Sequence, residues 1–176
     1  MPVRRTLNRN SGGNVKKYLI GCITAALAGL WPSGVYAQLA VKKALTLEAA
    51  KKITVLAEAE ARKNKWTMVV VVVDDGANLV SLEKMDDTQL GSIDVAIDKA
   101  KTAVLFKRPT KAFEEKVLKD GRNVILSLPN AIAIEGGIPI VIGGQLVGAI
   151  GVSGGTSDQD GIVAKAAVDA FTTEQK

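Results

Sequence analysis

The 176-residue sequence contains no histidine, and its single cysteine is Cys22, near the amino terminus. Both tyrosines, Tyr18 and Tyr36, also lie within the first 36 residues. Beyond residue 37 the chain therefore cannot build a Ser-His-Asp or Cys-His nucleophile, a histidine general base, or a zinc site of nitrogen and sulfur ligands. It cannot form a disulfide there either, so aliphatic packing must stabilise this part. Any metal chemistry falls to carboxylates, hydroxyls or methionine.

Excess positive charge is also missing from most of the chain. The formal net charge is +5, but five of the 23 basic residues lie before residue 18 and no acidic residue does. From Gln38 onward, the remaining 18 basic residues balance the 18 acidic ones. A neutral domain gives no electrostatic reason to expect nucleic acid as a partner. Motifs for dinucleotide or phosphate binding, G-x-G-x-x-G and G-x-x-x-x-G-K-[ST], are absent as well.

The amino-terminal segment has the three parts of a secretory signal. A basic start is followed by an apolar run over residues 18–30 and then by Val35-Tyr36-Ala37. An uncleaved membrane anchor is disfavoured, because it needs roughly 20 apolar residues and this run is broken at Trp31-Pro32. We expect cleavage after Ala37, no stable membrane anchor afterwards, and a single periplasmic or secreted domain over residues 38–176.

The rest of the chain alternates helical and strand patterns. Apolar spacing and end signals predict helices over about 46–62, 90–104, 111–119 and 160–171. Strands are predicted over 67–73, 79–85, 131–134, 138–142 and 145–152, the first of them buried on both faces. The connections favour a mostly antiparallel five-stranded sheet packed with helices, an α+β domain. Parallel pairing of the second and third strands stays open.

The glycine-rich stretch from Glu135 to Asp160, EGGIPIVIGGQLVGAIGVSGGTSDQD, is the most distinctive part of the sequence. Its Gly-Gly pairs predict tight turns, since glycine adopts positive φ without steric cost. The stretch ends in Ser153-Gly154-Gly155 before a helix whose start carries Asp158 and Asp160. Free backbone N–H groups at such a helix start can bind an anion. We therefore expect this end of the sheet to be the rim of a ligand site.

Four segments in this order resemble the GlcG and HbpS-like family, also called the haem-degrading family. They are VVDDGANLVSLEKMDD, KAKTAVLFKRPTK, IEGGIPIVIGGQLVGAIGVSGG and SDQD. The resemblance covers about residues 45–171. It implies a profilin-like or PAS-like domain, assembly into homo-oligomers, and haem as a ligand. It also implies that the Pro109-Thr110 turn belongs to the ligand region, and that weak haem-degrading activity is the one catalytic expectation; no catalytic residue is assigned.

Candidate binding residues surround that turn. Arg108 can pair with a carboxylate through both guanidinium nitrogens, Lys107 and Lys111 add positive charge, Phe113 offers a flat surface, and Thr110 offers an oxygen. Glu135 is expected on the same rim, paired with Arg108 or sharing a small acid. The alternative is structural, with basic residues at a helix end and Thr110 as the cap of the next helix.

Ligands for a metal ion are scarce. Met68 and Met85 are the remaining side chains of the usual haem-ligand types beyond residue 37. Met68 is expected in the core, and Met85 at a strand end. Glu83, Asp86 and Asp87 form a small acidic cluster that could hold a hard cation, although a solvated strand end is the simpler explanation.

The resulting hypothesis is an exported protein that binds haem or a related tetrapyrrole, in haem handling or oxidative-stress sensing. The first alternative is an accessory binder of a small hydroxy acid such as glycolate. The second is a structural oligomer without a small ligand.

Overall fold

A single antiparallel sheet organises the domain. The structure, a computed structural model, describes residues 38–175, so the predicted signal segment lies outside the described residues. The strands are β1 (Val69–Asp74), β2 (Leu79–Lys84), β3 (Gly137–Ile142) and β4 (Gln145–Ser153). They pair in the order β2-β1-β4-β3, and every pairing is antiparallel. The α+β prediction is confirmed, and the parallel pairing that the sequence left open does not occur among these strands.

Helices cover both faces of the sheet. They are α1 (Leu47–Lys63), α2 (Ser92–Leu105), α3 (Lys111–Leu118) and α4 (Ser157–Glu174), with a short 3-10 helix at Asn123–Ser127. Residues of α1 and α4 form one core with Val70 and Val72, whereas residues of α2 form a second core with Val69, Val71 and Val73. The domain is thus three layers with the sheet in the middle.

The valine run of β1 explains why the sheet has two cores. All five residues from Val69 to Val73 are fully buried, and β1 pairs with β2 on one side and β4 on the other. Alternate valines point to opposite faces, so a run without polar alternation suits a strand covered on both sides. The prediction of a buried strand inside the sheet is confirmed.

The sheet has four strands, and the five-stranded expectation is wrong by one. Residues 131–134, expected as a short strand, are irregular. The N–H of Ile132 donates to the Thr102 hydroxyl in α2, 2.9 Å away, and so is not part of a strand ladder. Extended structure resumes only at Gly137, where β3 begins to pair with β4. The short apolar run at 131–134 predicted a strand, but its Ile132 N–H is bonded to the Thr102 side chain of α2 instead of to a neighbouring strand.

Small residues let α2 lie against the backbone of β4. A Cβ placed on Gly151 would come within 2.0 Å of the Ala96 carbonyl oxygen, and Ala100 is also in direct contact. Gly143 and Gly144 form the two-residue turn between β3 and β4 with φ of 61° and 78°, as the Gly-Gly pattern predicted. The close contact of α2 with β4 sets the position of α2 relative to the starting end of β3.

The helix starts agree only in part with the sequence. Thr46 caps α1, with its hydroxyl accepting from the Ala49 N–H at 3.1 Å. The last helix, α4, begins at Ser157 rather than at the predicted Asp160, and Thr156 precedes it and forms a capping box with Gln159. Among residues 38–175, no helix combines the length and the apolar character that a membrane crossing requires.

Candidate functional site

The Pro109-Thr110 turn is fastened to the first residue of β3. The Thr110 N–H donates to the Gly137 carbonyl and the Gly137 N–H donates to the Thr110 hydroxyl, both at 2.9 Å. Thr110 is fully buried. It makes no side-chain cap to α3, so the expectation that it caps this helix is wrong. Its hydroxyl joins two segments that are distant in sequence, and this places the turn beside the glycines of β3.

Glycines form the base of the site because no side chain would fit there. Gly136 has φ of 129°, and a Cβ on it would lie 2.5 Å from the Val152 carbonyl oxygen and 3.0 Å from the Lys99 ammonium nitrogen. A Cβ on Gly137 would lie 2.3 Å from the Lys99 carbonyl oxygen. Only glycine adopts the φ of Gly136 without strain. The backbone of β3 therefore closes directly over α2.

A buried ion pair lies beneath these glycines. The Lys99 ammonium in α2 donates to Asp160 in α4 at 2.6 Å and to the Val152 carbonyl at 3.1 Å. The two side chains are 1% and 3% exposed. The Asp160 carboxylate also accepts from the Gly155 N–H at 3.0 Å. Burial raises the pKa of Asp160, while the Lys99 ammonium and backbone N–H groups oppose that rise. The pair connects α2, β4 and α4 in the core.

This pair was not predicted from the sequence, although a signal for Lys99 was present. The apolar spacing in the helix predicted over 90–104 placed Leu90, Ile93, Ile97, Ala100 and Val104 on one buried face. Ala100 and Val104 are buried, whereas Ile93 and Ile97 are only partly buried and Leu90 is 77% exposed. Lys99 is buried on the same helix beside Ala96, Ala100 and Ala103. A lysine at i+3 in a stripe of alanines is a sign of a buried, partnered charge.

A second ion pair lies at the rim of the site. The Lys111 ammonium donates to the Glu135 carboxylate at 2.7 Å, with side-chain exposures of 49% and 13%. The hydrogen bond to Glu135 raises the pKa of Lys111. The sequence suggested Arg108 as the partner of Glu135, and the structure places Lys111 there. This rim pair borders a pocket of about 310 Å³, which is lined by Pro109, Lys111, Glu135, Gly136, Gly137, Ile138, Gly161, Lys165 and Asp169.

Arg108 and Phe113 form a separate stacked pair next to the turn. The guanidinium carbon of Arg108 lies 5.6 Å from the centre of the Phe113 ring, and its Nε donates to the Phe106 carbonyl. Phe113 is buried against the Phe106 ring, with the centroids 5.3 Å apart. Lys107 is exposed with φ of 53°. Of the predicted ligand residues, Lys111 and Glu135 line the pocket, Thr110 supports it, and Arg108, Phe113 and Lys107 do not line it.

The start of α4 is already occupied by the chain itself. The Gly155 N–H donates to Asp160, and the Thr156 N–H donates to the Gln159 side chain. The Gln159 N–H in turn bonds the Thr156 hydroxyl. The Gly154 and Gly155 N–H groups, which were expected to be free for an anion, are thus directed at Asp160. An anion would find better partners in the side-chain cations of the rim.

The proposed acidic metal cluster is not assembled. Asp86 and Asp87 are exposed in the turn after β2, whereas Glu83 lies next to Glu58 of α1. Burial, and then the hydrogen bond and charge of Glu58, raise the pKa of Glu83. Within residues 38–175 no three acidic side chains come close enough together to hold an ion. The metal expectation at Glu83, Asp86 and Asp87 thus has no geometric support.

The methionine candidates for an iron ligand lie in the core. Met68 is fully buried, and Met85 is 9% exposed and belongs to the same core. Neither thioether faces the pocket beside Pro109, which methionine does not line. With imidazole absent from the sequence, the described residues contain no strong axial ligand at this pocket. A bound haem would have to be held mainly by apolar contact and by cations at its carboxylates.

A larger pocket, of about 420 Å³, lies at the opposite end of β3. Its lining includes Leu45, Ile142, Val147 and Phe171, with Lys43 at its edge. None of the predicted ligand residues contributes to it. The smaller pocket is the stronger candidate because charged and apolar groups converge there, as they do in small-molecule sites.

Comparison with known proteins gives a consistent relationship. A family model described as haem degrading protein HbpS-like matches residues 45–169. Protein GlcG of Escherichia coli strain K12 is 41% identical over 112 residues, which make up 64% of this chain and 83% of GlcG.

Solved structures agree with this relationship. The crystal structure of HbpS superposes with a TM-score of 0.69 at 30% identity, covering 77% of this chain and 98% of HbpS. A crystal structure of PduOC in complex with haem gives a TM-score of 0.65 at 29% identity, covering 73% of this chain and 95% of PduOC. Sequence and fold lead to the same conclusion: this chain belongs to the GlcG and HbpS-like family.

Proposed function

We propose that this protein binds haem or a related tetrapyrrole at the pocket beside Pro109. The observation that carries the proposal is the convergence of glycine backbone, Ile138 and Pro109 with the cations Lys111 and Lys165 around one pocket. A flat apolar ligand with two carboxylates needs both kinds of contact. The relationship to PduOC, which has been crystallised with haem, supports the choice of ligand.

Arg108 adds a third cation near this pocket. It is exposed, and within the described part of the chain no carboxylate forms a salt bridge with it. Its guanidinium is stacked on Phe113 rather than paired, so it can receive a carboxylate without first losing another one. Bound haem would supply the iron, and this chain would supply apolar contact and charge. Weak axial ligation by water is the coordination that the available groups allow, because the Lys111 ammonium has no lone pair to donate.

The hypothesis is tested by titrating the protein, from Gln38 to the carboxyl terminus, with hemin while the Soret band is recorded. We expect a shifted band that saturates at stoichiometric protein. R108A and K111Q should each weaken binding about tenfold, since each removes a charge-assisted contact. K63Q is the matched control, because Lys63 is exposed and pairs with Glu60, and neither residue lines the pocket. A spectrum identical to free hemin would reject the hypothesis.

We further propose export from the cytoplasm, with the mature chain beginning at Gln38, and a role in haem handling or oxidative-stress sensing. The basic and apolar start of the sequence supports export. Expression of the full chain followed by mass spectrometry of the periplasmic fraction tests this. An amino terminus at Gln38 is expected, and recovery of the intact chain from the cytoplasm alone would contradict it.

Assembly into homo-oligomers is part of the proposal. Leu118, Val124 and Leu126 are 76%, 67% and 63% exposed along α3 and the following 3-10 helix. Exposed apolar groups clustered along one segment are typical of protein interfaces. Sedimentation of the mature protein should therefore give a mass of at least two chains. L126E should lower that mass, and a monomeric wild-type protein would refute assembly.

A small carboxylic acid is the second candidate ligand. The pocket volume of about 310 Å³ is at the lower end of the range for small-molecule sites, which favours a compact acid over a large ring system. Thermal unfolding with a panel of small hydroxy acids distinguishes the two. Ligand at 100 times its Kd should stabilise the protein by about 2.7 kcal/mol. A response to an acid and none to hemin would favour this candidate.

A further inference from the structure

We propose that Glu135 is an internal competitor for the ligand: its carboxylate binds the Lys111 ammonium, and an anionic ligand must displace it. Glu135 would then set both the affinity and the selectivity of the pocket for carboxylates. This inference rests on the proposed function. The inference adds to that function one residue, Glu135, whose substitution should strengthen ligand binding.

The Lys111–Glu135 ion pair has the geometry of a contact that a ligand carboxylate can replace. Glu135 and Lys111 come from different segments, and both line the pocket. Their atoms are 2.7 Å apart, which is the distance that a ligand carboxylate would take from the same ammonium. Lys111 is half exposed, so an incoming anion can reach it from solvent.

Gly161 provides the place where the Glu135 side chain lies. A Cβ on Gly161 would come within 2.1 Å of the Glu135 carboxylate oxygen, so the carboxylate rests on bare helix backbone. The backbone N–H of Glu135 is held by Glu114 at 3.3 Å. The main chain is thus anchored, and the side chain, itself 13% exposed, is held by the half-exposed Lys111; an incoming carboxylate that takes Lys111 leaves it without that partner.

The second pocket lysine has the same kind of partner. Lys165 forms a salt bridge with Asp169, and both line the pocket at high exposure. The two lysines that line the pocket, Lys111 and Lys165, are therefore each paired with a carboxylate of the chain. At these two lysines a ligand gains a full cation only by replacing an internal carboxylate. Exposed ion pairs contribute little, so the expected penalty on ligand affinity is about two- to fivefold for Glu135.

The first experiment is a hemin titration at constant ionic strength with four variants. E135Q keeps the size of the side chain and removes its charge, and we expect binding about two- to fivefold tighter than wild type. E60Q is the matched control, because it makes the same charge change in the Lys63–Glu60 pair, whose residues do not line this pocket. K111Q should bind more weakly. In the K111Q/E135Q double variant the gain from E135Q should disappear.

Two results of this titration would overturn the inference. One is E135Q binding hemin as well as or less well than wild type. The other is an equal gain from E135Q with and without Lys111, since the effect would then be general charge rather than competition. Neither result would affect the proposed function, which depends on wild-type binding.

The second experiment does not require hemin. NMR titration of the Lys111 side chain should give a lower pKa in E135Q than in wild type, because Glu135 is the main cause of its rise. Succinate should shift the Lys111 signals more strongly in E135Q. Unchanged Lys111 pKa and equal succinate response would refute competition. If both change while wild type fails to bind hemin, the inference stands and the haem hypothesis falls.

Discussion

Two ion pairs of the same chemical kind lie on either side of the glycines at the start of β3. Lys99 and Asp160 are almost completely buried, and each has an additional backbone partner. Lys111 and Glu135 lie at the rim, where the lysine is half exposed. A buried charge cannot lose its partner without a large penalty, whereas a surface pair contributes little. The Lys99–Asp160 pair is therefore a fixed part of the fold, whereas the Lys111–Glu135 pair can exchange partners.

The distinction matters for binding because the two regions share a boundary. Gly136 contacts the Lys99 ammonium from one side and lines the pocket on the other. The buried pair therefore holds α2 and α4 at the positions that the pocket needs. The rim pair can then exchange partners without disturbing the fold.

The largest effect is expected from breaking the buried pair. K99M leaves Asp160 buried without its partner and should lower the free energy of unfolding by about 3–5 kcal/mol in urea. K99M/D160L should recover most of that loss, because two apolar groups need no partner. K119M is the control, at about 0.5 kcal/mol or less, since Lys119 is 70% exposed. Equal losses of unfolding free energy in K99M and K119M would contradict a structural role for the buried pair.

The next largest effect is expected at Gly136. An alanine there has to adopt φ near 129° and approach the Val152 carbonyl, so G136A should lose about 1–3 kcal/mol of stability. G91A is the matched control, because Gly91 has φ of −61° and no atom within 4 Å of an added Cβ. Thermal unfolding of both variants measures the difference. A neutral G136A would show that the base of the pocket tolerates movement.

The rim pair should matter much less for stability. K111Q and E135Q are each expected to change the free energy of unfolding by less than about 1 kcal/mol. Their effect should appear in ligand affinity instead. Urea unfolding next to K99M gives the direct contrast. A loss in E135Q as large as in K99M would mean that both pairs are structural.

The smallest effect is the pH dependence of the rim pair. Glu135 raises the pKa of Lys111, so the folded state holds that proton more tightly than the unfolded state. Its contribution is present below the ordinary lysine value of about 10.4 and is lost as pH rises through the raised pKa. The stability difference between wild type and E135Q should therefore shrink as pH rises through this range. A difference that stays constant would contradict the pairing in solution.

Local patterns predicted the elements of the fold well. The unbroken valine run of β1, the Gly143-Gly144 turn and the Thr46 cap each depend on residues close in the chain, and each is present in the structure. The segment 131–134 was predicted wrongly because its hydrogen-bond partner, Thr102, lies about 30 residues earlier. Short apolar runs contain no information about such distant partners.

The site was predicted less completely than the fold. The sequence identified the region around Pro109 and the residues Lys111 and Glu135, but it paired Glu135 with the wrong cation and gave Thr110 a cap role. It also missed Lys99, because a charged residue was not expected on a buried stripe. Partner choice among several nearby charges is decided by distances of a few ångströms, which spacing in the sequence does not give.

The sequence by itself determined the helices, the central strand, the glycine turn and the absence of imidazole and thiol ligands beyond residue 37, since these follow from composition and local conformational preference. Tertiary structure alone decided that Lys99 meets Asp160 across 61 positions of the chain, and that Lys111 meets Glu135 across 24. These contacts depend on how α2, α3 and α4 pack around the sheet. Packing brings distant groups together, and burial then determines which of the two pairs is fixed and which can exchange.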